Sequence, residues 1–152
     1  MSQKGSDFVP ELQLRKIMFY KVVLISIIHR KNGGEILLTK RKREPEIDKW
    51  SLPGGNGALE TESDPNKAIL LEVQSDFGVN IVNPKLFLVK YVATSEPILR
   101  FYFEGELDGE PEIKGLKTIK ELRWFNLEDS KELDLAFKKT DLEALNQFSM
   151  IV

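Results

Sequence analysis

The chain has no cysteine. That excludes disulfides, thiolate-held metals and a cysteine nucleophile. It has a single histidine, His29. A histidine needs a positioned partner to act as a base, so a structural or surface role is the plainer reading for this one. An excess of either charge is missing too. Twenty-two Lys and Arg stand against 24 Asp and Glu, a net charge of −2, so no broad basic field exists to attract nucleic acid. No apolar run approaches the ~18 residues that a membrane span needs. The first ten residues, MSQKGSDFVP, lack the apolar centre of a signal peptide. These absences point to a cytoplasmic protein that engages neither nucleic acid nor membrane. What remains is ordinary globular material. The chain has 152 residues, 41% hydrophobic and 30% charged, enough for one domain with a substantial core.

The pattern along the chain divides it into a loose N-terminal arm, residues 1–14, and a single domain, residues 15–152. Tyr20 to His29 is rich in β-branched residues and apolar on both faces, as a central strand is. Lys31-Asn32-Gly33-Gly34 is a hairpin turn, and Glu35 to Lys40 returns as a second strand. Glu44-Pro45-Glu46 breaks regular structure, and Trp50 to Leu52 is a short strand. Asp64-Pro65 opens a helix, since Asp accepts bonds from free amides and Pro suits the first helical position. Ile69, Leu70, Val73 and Phe77 form its expected buried stripe, and Gly78 ends it. Strands follow at Leu86 to Val92, Ile98 to Leu107 and Leu122 to Phe125. Leu127 to Leu133 and Asp141 to Phe148 read as helical. Strands on both sides of one buried helix, with helices at the end, predict an α+β fold, an α/β/α sandwich with a mixed β-sheet.

The chemistry concentrates between residues 50 and 79. Trp50-Ser51-Leu52-Pro53-Gly54-Gly55 leads into a glycine turn, where bare backbone can approach a ligand closely. Glu72 and Asp76 lie four residues apart on the helix, so their carboxylates share one side, which suits an oxygen-seeking cation such as Mg²⁺. Lys40-Arg41-Lys42-Arg43 offers Arg41 and Arg43 as phosphate contacts, beside the plainer reading of a solvated strand end. Glu110, Glu112 and Glu121 are candidates for a further loop acid, beside ordinary surface charge. Trp50, Trp124 and Phe125 read as core more readily than as a stacking platform.

This segment resembles the Nudix box: a glycine, five residues, Glu, seven residues, then Arg-Glu-aliphatic-any-Glu-Glu-any-Gly-aliphatic. Gly55 matches the first glycine, and Glu62 the first Glu after one extra residue. Another extra residue precedes the helix. Leu71 stands at the Arg position, Glu72 and Val73 match, Ser75 and Asp76 replace the paired Glu, and Gly78-Val79 complete the box. More weakly, Leu122 to Asp129 resembles the family's late strand and turn, and Leu135 to Leu145 its closing helix. The resemblance implies a Nudix-type fold and a hydrolase that splits a nucleoside diphosphate linked to another group, using Mg²⁺ or Mn²⁺ and a water nucleophile. It implies Glu72, Asp76 and Gly55 at the metal, Glu72 with Glu62 in catalysis, and Gly54, Arg41 and Arg43 at a small-molecule nucleotide substrate. Leu71 cannot orient a carboxylate as an Arg fork can, and Ser75 removes a negative charge. The same departures therefore fit a second function, a non-catalytic nucleotide-binding or regulatory module. The N-terminal arm offers a segment for exchange between subunits, which makes a homodimer one arrangement to test.

Overall fold

The computed structural model describes residues 20–152. The expected arm at residues 1–14, and the first five residues of the expected domain, lie outside the described residues. Seven strands form one mixed sheet: β1 (Lys21–Arg30), β2 (Glu35–Arg41), β3 (Trp50–Ser51), β4 (Gly54–Gly55), β5 (Ile81–Val92), β6 (Ile98–Leu107) and β7 (Ile119–Asn126). The main order is β3-β2-β1-β6-β5, with β4 added to β1 and β7 to β2. β1 runs parallel to β6 and antiparallel to β2. The helices are α1 (Pro65–Phe77), α2 (Leu127–Ser130) and α3 (Lys138–Ile151). Among the described residues no helix is long and apolar enough to cross a membrane.

The alternation of β1 explains the layering. Ile25 and Ile27 enter one core with Tyr102, Leu145 and Phe148, under α3. Leu24 and Ile28 enter the other with Ile69, Val73, Phe77 and Phe103, under α1. A strand buried on both faces has to be apolar at successive positions, as this one is. The expected α+β sandwich with a mixed sheet is therefore the observed architecture.

α1 follows its end signals. The Asp64 side chain accepts a bond from the Asn66 amide, Pro65 is the first helical residue, and Gly78 ends the helix at φ 71°. The expected stripe needs one correction. Ala68, Ile69, Val73 and Phe77 are buried, whereas Leu70 is 40% exposed. At about 100° per residue, Leu70 stands about 100° from Ile69 in projection, while Asp76 stands about 20° away. Asp76 thus adjoins the buried stripe, and Leu70 lies at its margin.

Several element boundaries also differ from expectation. β5 starts at Ile81 rather than Leu86. Its Asn83-Pro84 is accommodated because β5 is an edge strand whose register shifts between Val82 and Lys85, the place where a sheet tolerates proline. β7 extends beyond Leu122–Phe125 at both ends. Helical geometry in α2 stops at Ser130, short of Leu133, and Leu135 instead bridges to Trp50. α3 runs beyond Asp141–Phe148 at both ends.

Candidate functional site

The glycine turn is fixed by the central strand. Gly54 and Gly55 pair with Ile25 and Leu24 of β1 as a two-residue strand. This pairing was not legible in sequence, because glycine carries no strand preference. A short 3₁₀ turn, Gly57–Glu60, follows. It contains part of the stretch that is longer than the Nudix spacing, and it brings the Ala58 amide to the Glu72 carboxylate. Ala58 N–H donates to Glu72 Oε1 at 2.8 Å. A Cβ on Gly55 would stand 2.8 Å from Glu72 Oε2, so Glu72 lies directly against the turn.

Asp76 is set one helical turn further on. Its carboxyl is pushed up to about 7, first by burial and then by the neighbouring Glu72 charge. The loop before β7 closes over it. The amides of Lys114 and Gly115 donate to the Asp76 carbonyl at 2.8 and 3.3 Å, and a Cβ on Gly115 would stand 2.9 Å from Asp76 Oδ1.

A cavity of about 590 Å³ joins these parts. Gly54, Gly55, Leu71, Glu72, Ser75 and Asp76 line it, together with Arg41 and Arg43. The structure therefore brings together every expected site residue except Glu62. The Glu62 carboxylate instead accepts a bond from the Asp64 amide at 3.0 Å, where it braces the entry to α1. Glu110, Glu112 and Glu121 do not line the cavity either; the late loop contributes Thr118 and Ile119. Thr118, Thr39 and Ser51 also line it, although no sequence pattern singled them out. They reach it because β2, β3 and β7 are adjacent, a long-range arrangement.

Arg41 is held by the loop after β2. Arg41 Nε donates to the Pro45 carbonyl at 2.7 Å. Its guanidinium carbon lies 5.0 Å from the Phe137 ring centre, as does that of Arg100. Arg100 in turn donates to Asp141 Oδ1 at 2.9 Å, and Tyr102 Oη donates to the same oxygen at 2.7 Å. This buried group ties β6 to α3.

The remaining residues keep structural positions. His29 is buried, shares a 2.8 Å hydrogen bond with Glu104 and packs on Phe148. Trp50 and Phe125 meet edge to face, with centroids 4.9 Å apart. The Arg30 guanidinium carbon lies 4.2 Å from the Trp124 ring centre.

The donors fit one small, hard cation. Two carboxylates beside an unblocked glycine backbone can supply part of an octahedral oxygen shell, with phosphate and water supplying the rest. Among the described residues no group of three or more His, Asp or Glu converges as a ready metal cage. A cation held here thus depends on its ligand more than a fully caged one does.

Comparison with known proteins places this geometry. A model of the NUDIX domain matches residues 20–148. The MutT NUDIX hydrolase from Burkholderia pseudomallei is 28% identical, with a TM-score of 0.63 over 72% of this chain and 85% of its own. The Escherichia coli ORF135 protein is 20% identical, with a TM-score of 0.72 over 88% of this chain and 91% of its own. The NUDIX domain of Shewanella oneidensis NrtR, solved with ADP-ribose, is 14% identical, with a TM-score of 0.71 over 97% of this chain and 96% of its own. No curated protein matches the chain.

Proposed function

Because this chain belongs to the NUDIX family, we propose that it is a hydrolase that cleaves a nucleoside diphosphate linked to another group, aided by Mg²⁺ or Mn²⁺. The observation that carries the reading is one cavity lined both by Glu72, Asp76 and Gly55 and by Arg41 and Arg43. Acidic and basic side chains in one cavity suit a polyphosphate bound with a cation. Arg41 and Arg43 offer donors to phosphate oxygens. Gly54 and Gly55 let the β1 backbone and the Glu72 carboxylate pack against the turn that lines the cavity. Glu72 and Asp76 hold the cation, which when bound neutralises charge on the phosphates and favours deprotonation of water. Glu72 is also the candidate base toward that water. Glu62 supports the reaction by keeping the start of α1 in place. The proposal is of a cytoplasmic enzyme acting on a small soluble nucleotide.

Leu71 and Ser75 support a second reading, a nucleotide-binding module without turnover. They remove a donor and a charge where the family pattern has Arg and Glu. One experiment separates the two. Purified protein is screened with Mg²⁺ and with Mn²⁺ against ADP-ribose, nucleotide sugars, dinucleotides and nucleoside triphosphates, with product release and binding read in parallel. Turnover that Glu72→Gln lowers by about 10²-fold or more supports the hydrolase, a magnitude typical of removing a group that acts in the transition state. Binding without turnover in the parent supports the module. Turnover unchanged in Glu72→Gln sinks the site assignment.

A further inference from the structure

We propose that the lengthened glycine loop takes over the work of the missing arginine, with the Ala58 backbone N–H positioning the Glu72 carboxylate for the cation. The inference rests on the metal-binding part of the reading above. At the family's arginine position stands Leu71, 49% exposed and without a polar atom in its side chain. Glu72 would then lack a fixed donor, and a free carboxylate on a helix samples several rotamers. Its Oε1 instead accepts the Ala58 amide at 2.8 Å.

That donor is itself fixed. Ala58 is the second residue of the 3₁₀ turn Gly57–Glu60, and its amide precedes the first donor of the turn, the Leu59 amide, which reaches the Asn56 carbonyl at 3.2 Å, so it is free to point outward. Its carbonyl accepts the amides of Thr61 and Glu62 at 3.2 and 3.0 Å. Gly55, not Gly57, makes the space. A Cβ at Gly55 would lie 2.8 Å from one Glu72 oxygen, and a Cβ at Gly57 would lie 3.7 Å from the other. The loop residue beyond the family spacing between Gly55 and Glu62 thus serves an arrangement that replaces a side-chain fork with a backbone donor. Ala58 touches neither phosphate nor cation in this scheme; it is a positioning residue that acts through Glu72.

Ala58→Pro removes this one donor while keeping a φ suited to a 3₁₀ turn. Mn²⁺ binding, read by electron paramagnetic resonance with imidodiphosphate and without any turnover, is the measurement. Affinity should fall about tenfold or more, the loss expected for one hydrogen bond to a charged group. Leu71→Arg added to Ala58→Pro should restore at least part of that loss, and should gain more there than in the parent. Unchanged affinity in a folded Ala58→Pro variant overturns the inference, as does an equal gain from Leu71→Arg in both backgrounds. If Ala58→Pro does not fold, amide proton exchange decides. Exchange at Ala58 should be at least about tenfold faster in Glu72→Ala than in the parent, and equal rates overturn the proposal. A parent that binds no Mn²⁺ sinks the metal reading itself. A parent that binds Mn²⁺ but turns nothing over sinks only the hydrolase.

Discussion

Gly55 and Glu72 are packed so closely that the smallest side chain at position 55 would contact the carboxylate, at 2.8 Å from Oε2. The obstacle is the end of a flexible side chain, so Gly55→Ala should fold with a stability change of about 1 kcal/mol or less. The displaced carboxylate should nevertheless weaken Mn²⁺ binding by about tenfold, roughly 1.4 kcal/mol. Thermal melting and Mn²⁺ titration on the same sample check both halves. Weakened binding with full loss of structure would point to a merely structural glycine.

Asp76 predicts how stability of the metal-free protein depends on pH. Its carboxyl stands near 7 in the folded state against 3.8 as the ordinary value, raised by burial and by Glu72. The folded state therefore keeps this proton when the unfolded state has released it. Folding becomes less favourable as pH rises from about 4 to about 7, and the full cost is present above that window. Asp76→Asn removes the cost. Its Tm should match the parent near pH 4 and exceed it by roughly 2–8 °C at pH 8, taking 1–2 kcal/mol at about 2–4 °C each. A Tm difference that does not change with pH would contradict the assignment.

Arg41 and Arg43 should affect substrate binding more than turnover. Each lines the cavity that the acids also line, where a phosphate contact would be made in the ground state and the transition state alike. Arg41→Ala and Arg43→Ala should each raise KM about tenfold, with kcat changed less than about threefold. Added NaCl should reproduce part of the KM effect in the parent, since partly exposed charges are screened. An unchanged KM in both variants would return this segment to a solvated strand end.

Asp141 is completely buried, and one of its oxygens serves both Arg100 and Tyr102. Asp141→Ala leaves the buried Arg100 guanidinium without its counter-charge. The expected loss is about 3–5 kcal/mol, a drop in Tm on the order of 10 °C. The double change Arg100→Met with Asp141→Leu should cost clearly less, because no charge is then stranded. Denaturant melts of the three proteins decide it.

Much of the fold was legible because short-range rules governed it. β1 declared itself by apolar residues at successive positions, α1 by Asp64-Pro65 and Gly78, and the hairpin by Lys31 to Gly34. Glu72, Asp76, Gly54 and Gly55 could be singled out because helical spacing and glycine chemistry are local. The misses share a different cause. Leu70 was expected inside because apolar character was counted without its exact angle on the helix. The start of β5 was hidden by Pro84, which only an edge position with a register shift can accept. The role expected of Glu62 stands apart from these: one of its carboxylate oxygens accepts the Asp64 amide at the start of α1, outside the residues that line the cavity.

Local residue order accounts for the helix with its two carboxylates, the glycine turn before it and the apolar strand behind both, because each depends on neighbours a few residues away. Long-range packing is what carries Arg41 of β2, Ser51 of β3 and Thr118, just before β7, to the same cavity. It also decided that burial beside Glu72 raises the Asp76 carboxyl, and that the Ala58 amide meets Glu72 across 14 residues of chain. Desolvation, opposed charge and hydrogen-bond geometry are set by distances between segments, and those distances arise when the sheet closes on its helices.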